Sequence, residues 1–148
     1  MKKNYVADAI SIAFVILFVY AAASKLIDFQ KFQIELAKSP LLTAFAGQVA
    51  ILIPCIEIAI SLLLASARWR LVGLYASFSL MTMFSAYIYY ILNFASYIPC
   101  SCGGILQNMN WTQHIIFNLV FVALAAVAVL TCYPESRLTG AGAIKFQE

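Results

Sequence analysis

Four apolar blocks, over about residues 6–24, 41–67, 71–97 and 111–133, dictate what this chain can fold into. A helix needs about 20 mostly apolar residues to cross a bilayer. Lipid offers backbone amides no partner, so a crossing segment is either a helix or a strand of a closed barrel. Barrel strands are segments of about 10 residues with alternating polarity, and these blocks are longer and evenly apolar. The expected fold is therefore all-α: one integral membrane domain, a four-helix transmembrane bundle. Composition agrees, with 64% hydrophobic and 10% charged residues against about 25% charged in soluble domains. A net charge of +3, thinly scattered, excludes a nucleic-acid-binding surface.

Lys2 and Lys3, the first apolar block and Ala21-Ala22-Ala23 together have the outline of a cleaved signal peptide. Asp8 interrupts that outline, and a retained first helix is expected. Orientation follows from the basic residues. With the N-terminus inside, Lys2, Lys3, Arg68, Arg70, Arg137 and Lys145 lie on the cytoplasmic side. Lys25, Lys31 and Lys38 lie outside, mixed with Asp28 and Glu35. Trp69 and Tyr133 then fall at the inner interface, and Tyr20 and Trp111 at the outer one. This predicts a bacterial inner-membrane protein with both termini cytoplasmic.

Between the first two spans, Leu26, Phe29, Phe32, Gln33 and Leu36 follow helical spacing, with Lys31, Glu35 and Lys38 elsewhere on the wheel. A short amphipathic helix lying in the headgroup layer is expected there, with Pro40 at the start of the second span. The third block is longer than a span requires. Tyr87, Tyr89 and Tyr90 fall at its outer boundary, and Pro99 ends it.

The segment after the third span reads Tyr-Ile-Pro-Cys-Ser-Cys-Gly-Gly, from Tyr97 to Gly104. Cys100 and Cys102 are placed outside, where disulfides persist in a bacterial periplasm. Closing a disulfide over one residue needs a tight bend, which Pro99 and Gly103-Gly104 permit. So small a ring gives little stabilisation as a staple. Strained, exposed disulfides are the exchangeable ones. Incidental thiols and Cu(I) ligands are the alternatives. Met81 and Met83 lend copper little support, because residues two apart on a helix face nearly opposite ways. Cys55 and Cys132 read as small apolar residues, Cys55 buried in the second span.

Glu57 is an ionisable residue near mid-membrane, which is costly and usually functional. It is either bonded to a neighbouring helix or part of a proton relay or polar pocket wall. Pro54, one turn earlier, frees the Ala50 carbonyl. In the fourth span Asn110 is a good N-cap, and Trp111, His114 and Asn118 share one face. His114, the single histidine, could lower a thiol pKa or carry a proton, or simply satisfy a backbone carbonyl.

Read together, these residues make the chain resemble the MauE/DoxX-like family of small redox-associated membrane proteins, named for methylamine utilisation. The matching positions are Ser24-Lys25-Leu26 with Asp28 and Phe29, Pro40-Leu41-Leu42, Pro54 with Glu57, and Cys100-Ser101-Cys102. Gly103 stands where the family pattern has an aromatic residue. The resemblance implies a four-helix protein that works with a periplasmic thioredoxin-like protein in disulfide formation or thiol maturation of a cysteine-containing client. Cys100 and Cys102 would be the redox pair, with His114 and Glu57 as further candidates for catalysis. A quinone is implied only by architectural analogy with membrane thiol oxidases. A non-catalytic accessory or assembly subunit is the other reading.

Overall fold

The computed structural model describes residues 5–39, 42–94 and 110–140, with 133–140 as backbone only. Every regular element in them is helical: α1 (Tyr5–Ile27), α2 (Phe29–Lys38), a 3₁₀ turn (Thr43–Phe45), α3 (Ala46–Ala65), α4 (Arg70–Phe94) and α5 (Trp111–Gly140). Four segments are long and apolar enough to cross a membrane: Tyr5–Ile27, Thr43–Ala65, Arg70–Phe94 and Trp111–Cys132. The chain is a multi-pass membrane protein, and the expected four-helix bundle is present.

Several element ends differ from the expected ones: α5 runs to Gly140 rather than 133, and α3 begins at Ala46 after the 3₁₀ turn. The first helix continues past residue 24 to Ile27, because Lys25 has a partner inside the bundle. The second span ends with α3 at Ala65 rather than 67: Ser66 turns extended, and its N–H closes the helix on the Leu62 carbonyl at 3.2 Å. Residues 41 and 95–97, expected within spans, lie outside the described residues, as do Pro40 and Pro99.

Around the bundle, α1 packs on α3 and α5, and α4 packs on α3 and α5. Short connections make successive spans antiparallel. Each helix turns a stripe of helical periodicity inward. On α1 it runs Ala7, Ile10, Ser11, Phe14, Phe18, Ala22 and Lys25. The core forms where Phe14 and Phe18 meet Ile60 and Leu64 of α3, Leu74 and Met81 of α4, and Ala125 and Ala128 of α5. Phe14 meets Phe121 edge-on, with ring centroids 5.2 Å apart. Buried Ser11, Ser61, Ser77 and Ser85 each donate to the carbonyl four residues back, at 2.7–2.8 Å, so their hydroxyls are satisfied on their own helices. The outer surface keeps Ile16, Leu62 and Leu130 exposed, as expected of helices that meet lipid rather than water. Met81 is buried and Met83 exposed.

The amphipathic helix forms as α2, but its apolar face is turned to protein. Phe32 and Leu36 pack on Ala46 and Ala50 of α3, with Phe29, Val49 and Ile53 at the edges. Leu26, expected on that face, is exposed on the end of α1 instead, because the chain stays in α1 through Ile27. The Tyr87 hydroxyl of α4 donates to Ser39 Oγ at 2.8 Å, just past the end of α2. Tyr89 and Tyr90 remain exposed. At the opposite end of the bundle, Arg70 Nη1 donates to Asp8 Oδ1, joining the starts of α4 and α1.

α3 and α4 approach closely at Gly73. A Cβ there would lie 3.0 Å from the Leu64 side chain and from the Leu64 backbone nitrogen. Since backbone cannot yield as a flexible side chain can, Gly73→Val is expected to destabilise the bundle by about 1–3 kcal/mol. Thermal unfolding in detergent measures this, and an unchanged midpoint would contradict so close an α3–α4 contact.

Candidate functional site

Lys25 ends the buried stripe of α1, and this places a charge inside the bundle. It is 5% exposed, and its Nζ donates to Glu57 Oε1 at 2.6 Å. Glu57, on the inward stripe of α3 with Pro54, Ile60 and Leu64, is 1% exposed. The pair is closed off by aromatic rings. Phe32 of α2 and Phe84 of α4 lie 5.9 and 6.0 Å from the Lys25 nitrogen, within reach of a cation–π attraction. The α2 helix therefore covers the ammonium as well as packing on α3.

Sequence reading placed Lys25 in the outer loop and so left Glu57 without a charged partner. The structure corrects this. A Lys in the last turn of α1 reaches down its own helix, because helical side chains lean toward the N-terminus, and meets Glu57 part-way down α3. The signal was available. Lys25 continues the spacing of Phe14, Phe18 and Ala22, and a carboxylate in an apolar span calls for a cation.

His114 enters from α5. The first intrahelical bond runs from its N–H to the Asn110 carbonyl at 3.0 Å. Gln113 Oε1 accepts the Asn110 N–H at 3.1 Å, the return half of a capping box. Trp111 and His114 stack with ring centroids 6.2 Å apart and planes 9° apart. His114 is 5% exposed and Asn118, one turn deeper, is also buried. The Lys25 charge acts on His114, so Lys25 links the α3 and α5 sides of the cluster.

Two side-chain atoms in this cluster are buried without a hydrogen-bond partner: Glu57 Oε2 and His114 Nδ1. Leaving such groups unmade costs about 1–3 kcal/mol each, more when charged. Among the described residues, no three His, Cys, Asp or Glu side chains gather in a way that could hold a metal ion. Cys100 and Cys102 lie outside the described residues, in the link from Phe94 to Asn110, as do Gly103 and Gly104. Cys55 is exposed rather than buried, because the inward stripe of α3 passes through its neighbour Pro54 and through Glu57. Cys132 is half-buried against the core.

A family model described as methylamine utilisation protein MauE matches residues 3–131. No curated protein and no solved structure matches the chain.

Removing one partner of a buried ion pair strands the other, at a cost of about 3–5 kcal/mol. Glu57→Leu and Lys25→Met are each expected to lower the unfolding midpoint strongly. Glu57→Gln should lower it less, since the amide still accepts from Lys25. The double variant Lys25→Met/Glu57→Leu should be more stable than either single variant. Losses that simply add in the double variant would show that the two groups are not coupled.

Proposed function

Because the chain belongs to the MauE family, we propose that it is a membrane thiol–disulfide exchange protein with Cys100 and Cys102 as its exchanging pair. Its partner is a periplasmic thioredoxin-like protein that forms disulfides or matures thiols in a client. The protein lies in the bacterial inner membrane with both termini cytoplasmic, so that the Cys-x-Cys segment meets the oxidising side.

The observation that carries this reading is the buried polar cluster at one end of the bundle. Lys25 and Glu57 are bonded inside the bundle, and His114 lies in the first turn of α5, the helix that follows the Cys100–Cys102 segment along the chain. Disulfide exchange needs protons. A thiolate of one partner attacks a sulfur of the Cys100–Cys102 disulfide, forming a mixed disulfide and releasing the other cysteine as a thiolate. The second thiol of the partner then breaks the mixed bond. Two electrons and two protons have passed from the partner's dithiol to the Cys100–Cys102 pair, and the reverse run returns them. His114 suits proton transfer near neutral pH, and its Nδ1 has no competing bond. Glu57 Oε2 offers a second acceptor, held in place through Lys25.

In a Cys55→Ala/Cys132→Ala background, a membrane-impermeant thiol reagent should label reduced intact cells through Cys100 or Cys102. Cys100→Ser and Cys102→Ser should each abolish exchange. One of the two should accumulate a mixed disulfide with a periplasmic protein, because its resolving thiol is gone. Normal client oxidation in the double variant would overturn the assignment. Stoichiometric Cu(I) binding lost in both single variants, without any adduct, would favour the copper reading.

A further inference from the structure

At the end of the bundle away from Lys25, α1 and α3 part to leave a cavity of about 290 Å³, near the lower limit of about 300 Å³ for ligand sites. Its α1 wall is Asp8, Ser11, Ile12, Val15 and Ile16, one stripe at i, i+3, i+4, i+7 and i+8. This wall rises about 12 Å along the helix and changes character on the way. Asp8 and Arg70 form the polar end. Ser11 comes next, its hydroxyl committed to the Ala7 carbonyl at 2.7 Å. Beyond it the lining is apolar, with Leu64 of α3 opposite Ile12 and Ile16. Ile12 and Ile16 are 61% and 65% exposed, so the cavity opens sideways, toward lipid.

The polar end is electrically unbalanced. Asp8 accepts from Arg70 Nη1, but Arg70 Nε is buried with no acceptor. Arg68, two residues before Arg70 in the turn that leads into α4, is exposed, so Arg68 and Arg70 together outnumber the Asp8 carboxylate. Basic pockets between transmembrane helices hold anionic headgroups. We propose that this cavity binds an anionic phospholipid, its phosphate at Arg68 and the exposed part of the Arg70 guanidinium and one acyl chain along Ile12 and Ile16. A free anion would use the charge but not the apolar wall. A zwitterionic lipid would fill the wall without answering the surplus charge. The site lies at the other end of α1 from the Lys25–Glu57 pair and is independent of the exchange reading.

The test uses the full chain, purified in detergent and stripped of lipid. Thermal unfolding is followed while adding phosphatidylglycerol, phosphatidylcholine with the same acyl chains, or inorganic phosphate. Phosphatidylglycerol alone should raise the midpoint. Arg68→Gln should weaken that response roughly fivefold, the worth of one basic residue near an anionic surface. Ile12→Trp should abolish it by filling the groove. Both positions are exposed, so the lipid-free midpoint of each variant should match that of the parent chain. An equal response to phosphatidylcholine, a response to phosphate, or an unchanged response in Ile12→Trp overturns the proposal. Native mass spectrometry of the unsubstituted chain provides a check that needs no variant: selective retention of phosphatidylglycerol supports the site, and equal retention of both lipids overturns it.

Discussion

A lysine and a glutamate are bonded to each other inside a lipid-facing bundle, and the arrangement of that end of the bundle follows from the bond. Neither charge is tolerable there by itself. The Lys25–Glu57 contact therefore sets how α1 and α3 are rotated and how far each is shifted along the other. It also gives α2 a purpose. With α1 ending at Ile27, the Lys25 ammonium would face the headgroup layer. The chain instead reverses at Asp28 and lays Phe32 over the nitrogen while Leu36 packs on α3. The Tyr87 hydroxyl then ties α4 to the residue that follows α2.

The opposite end carries a second ion pair with different energetics. Asp8 and Arg70 are each about one-third exposed, and pairs of this kind contribute about 0–1 kcal/mol. Between the two pairs, about 25 Å of α1 is filled by Phe14, Phe18 and their neighbours from three helices. One end of the bundle is locked by a desolvated bond, and the other is held loosely enough to leave a cavity. The same chemical pairing thus does different work according to how much water reaches it.

The buried cluster also bears on chemistry. The four buried serines are satisfied on their own helices. Glu57 and His114 each keep an open atom. Stability is given up at two positions, one on α3 and one on α5, the helices that pack on either side of α1.

By itself the sequence determined the number of spans, their helical character, the existence of α2, and the shared face of Trp111, His114 and Asn118. Each of these follows from local rules: lipid forces internal hydrogen bonding, and helical periodicity is written in consecutive residues. The pairing of Lys25 with Glu57, the outward turn of Cys55 and the joining of Asp8 to Arg70 were decided only in the tertiary structure. An apolar helix that faces lipid on one side and protein on the other has little hydrophobic asymmetry, because both surroundings accept the same side chains. Which face turns inward is then settled by the few polar groups that lipid rejects. Those groups find one another across 32 residues for Lys25 and Glu57 and 62 for Asp8 and Arg70, a separation at which only the packed helices bring them into contact.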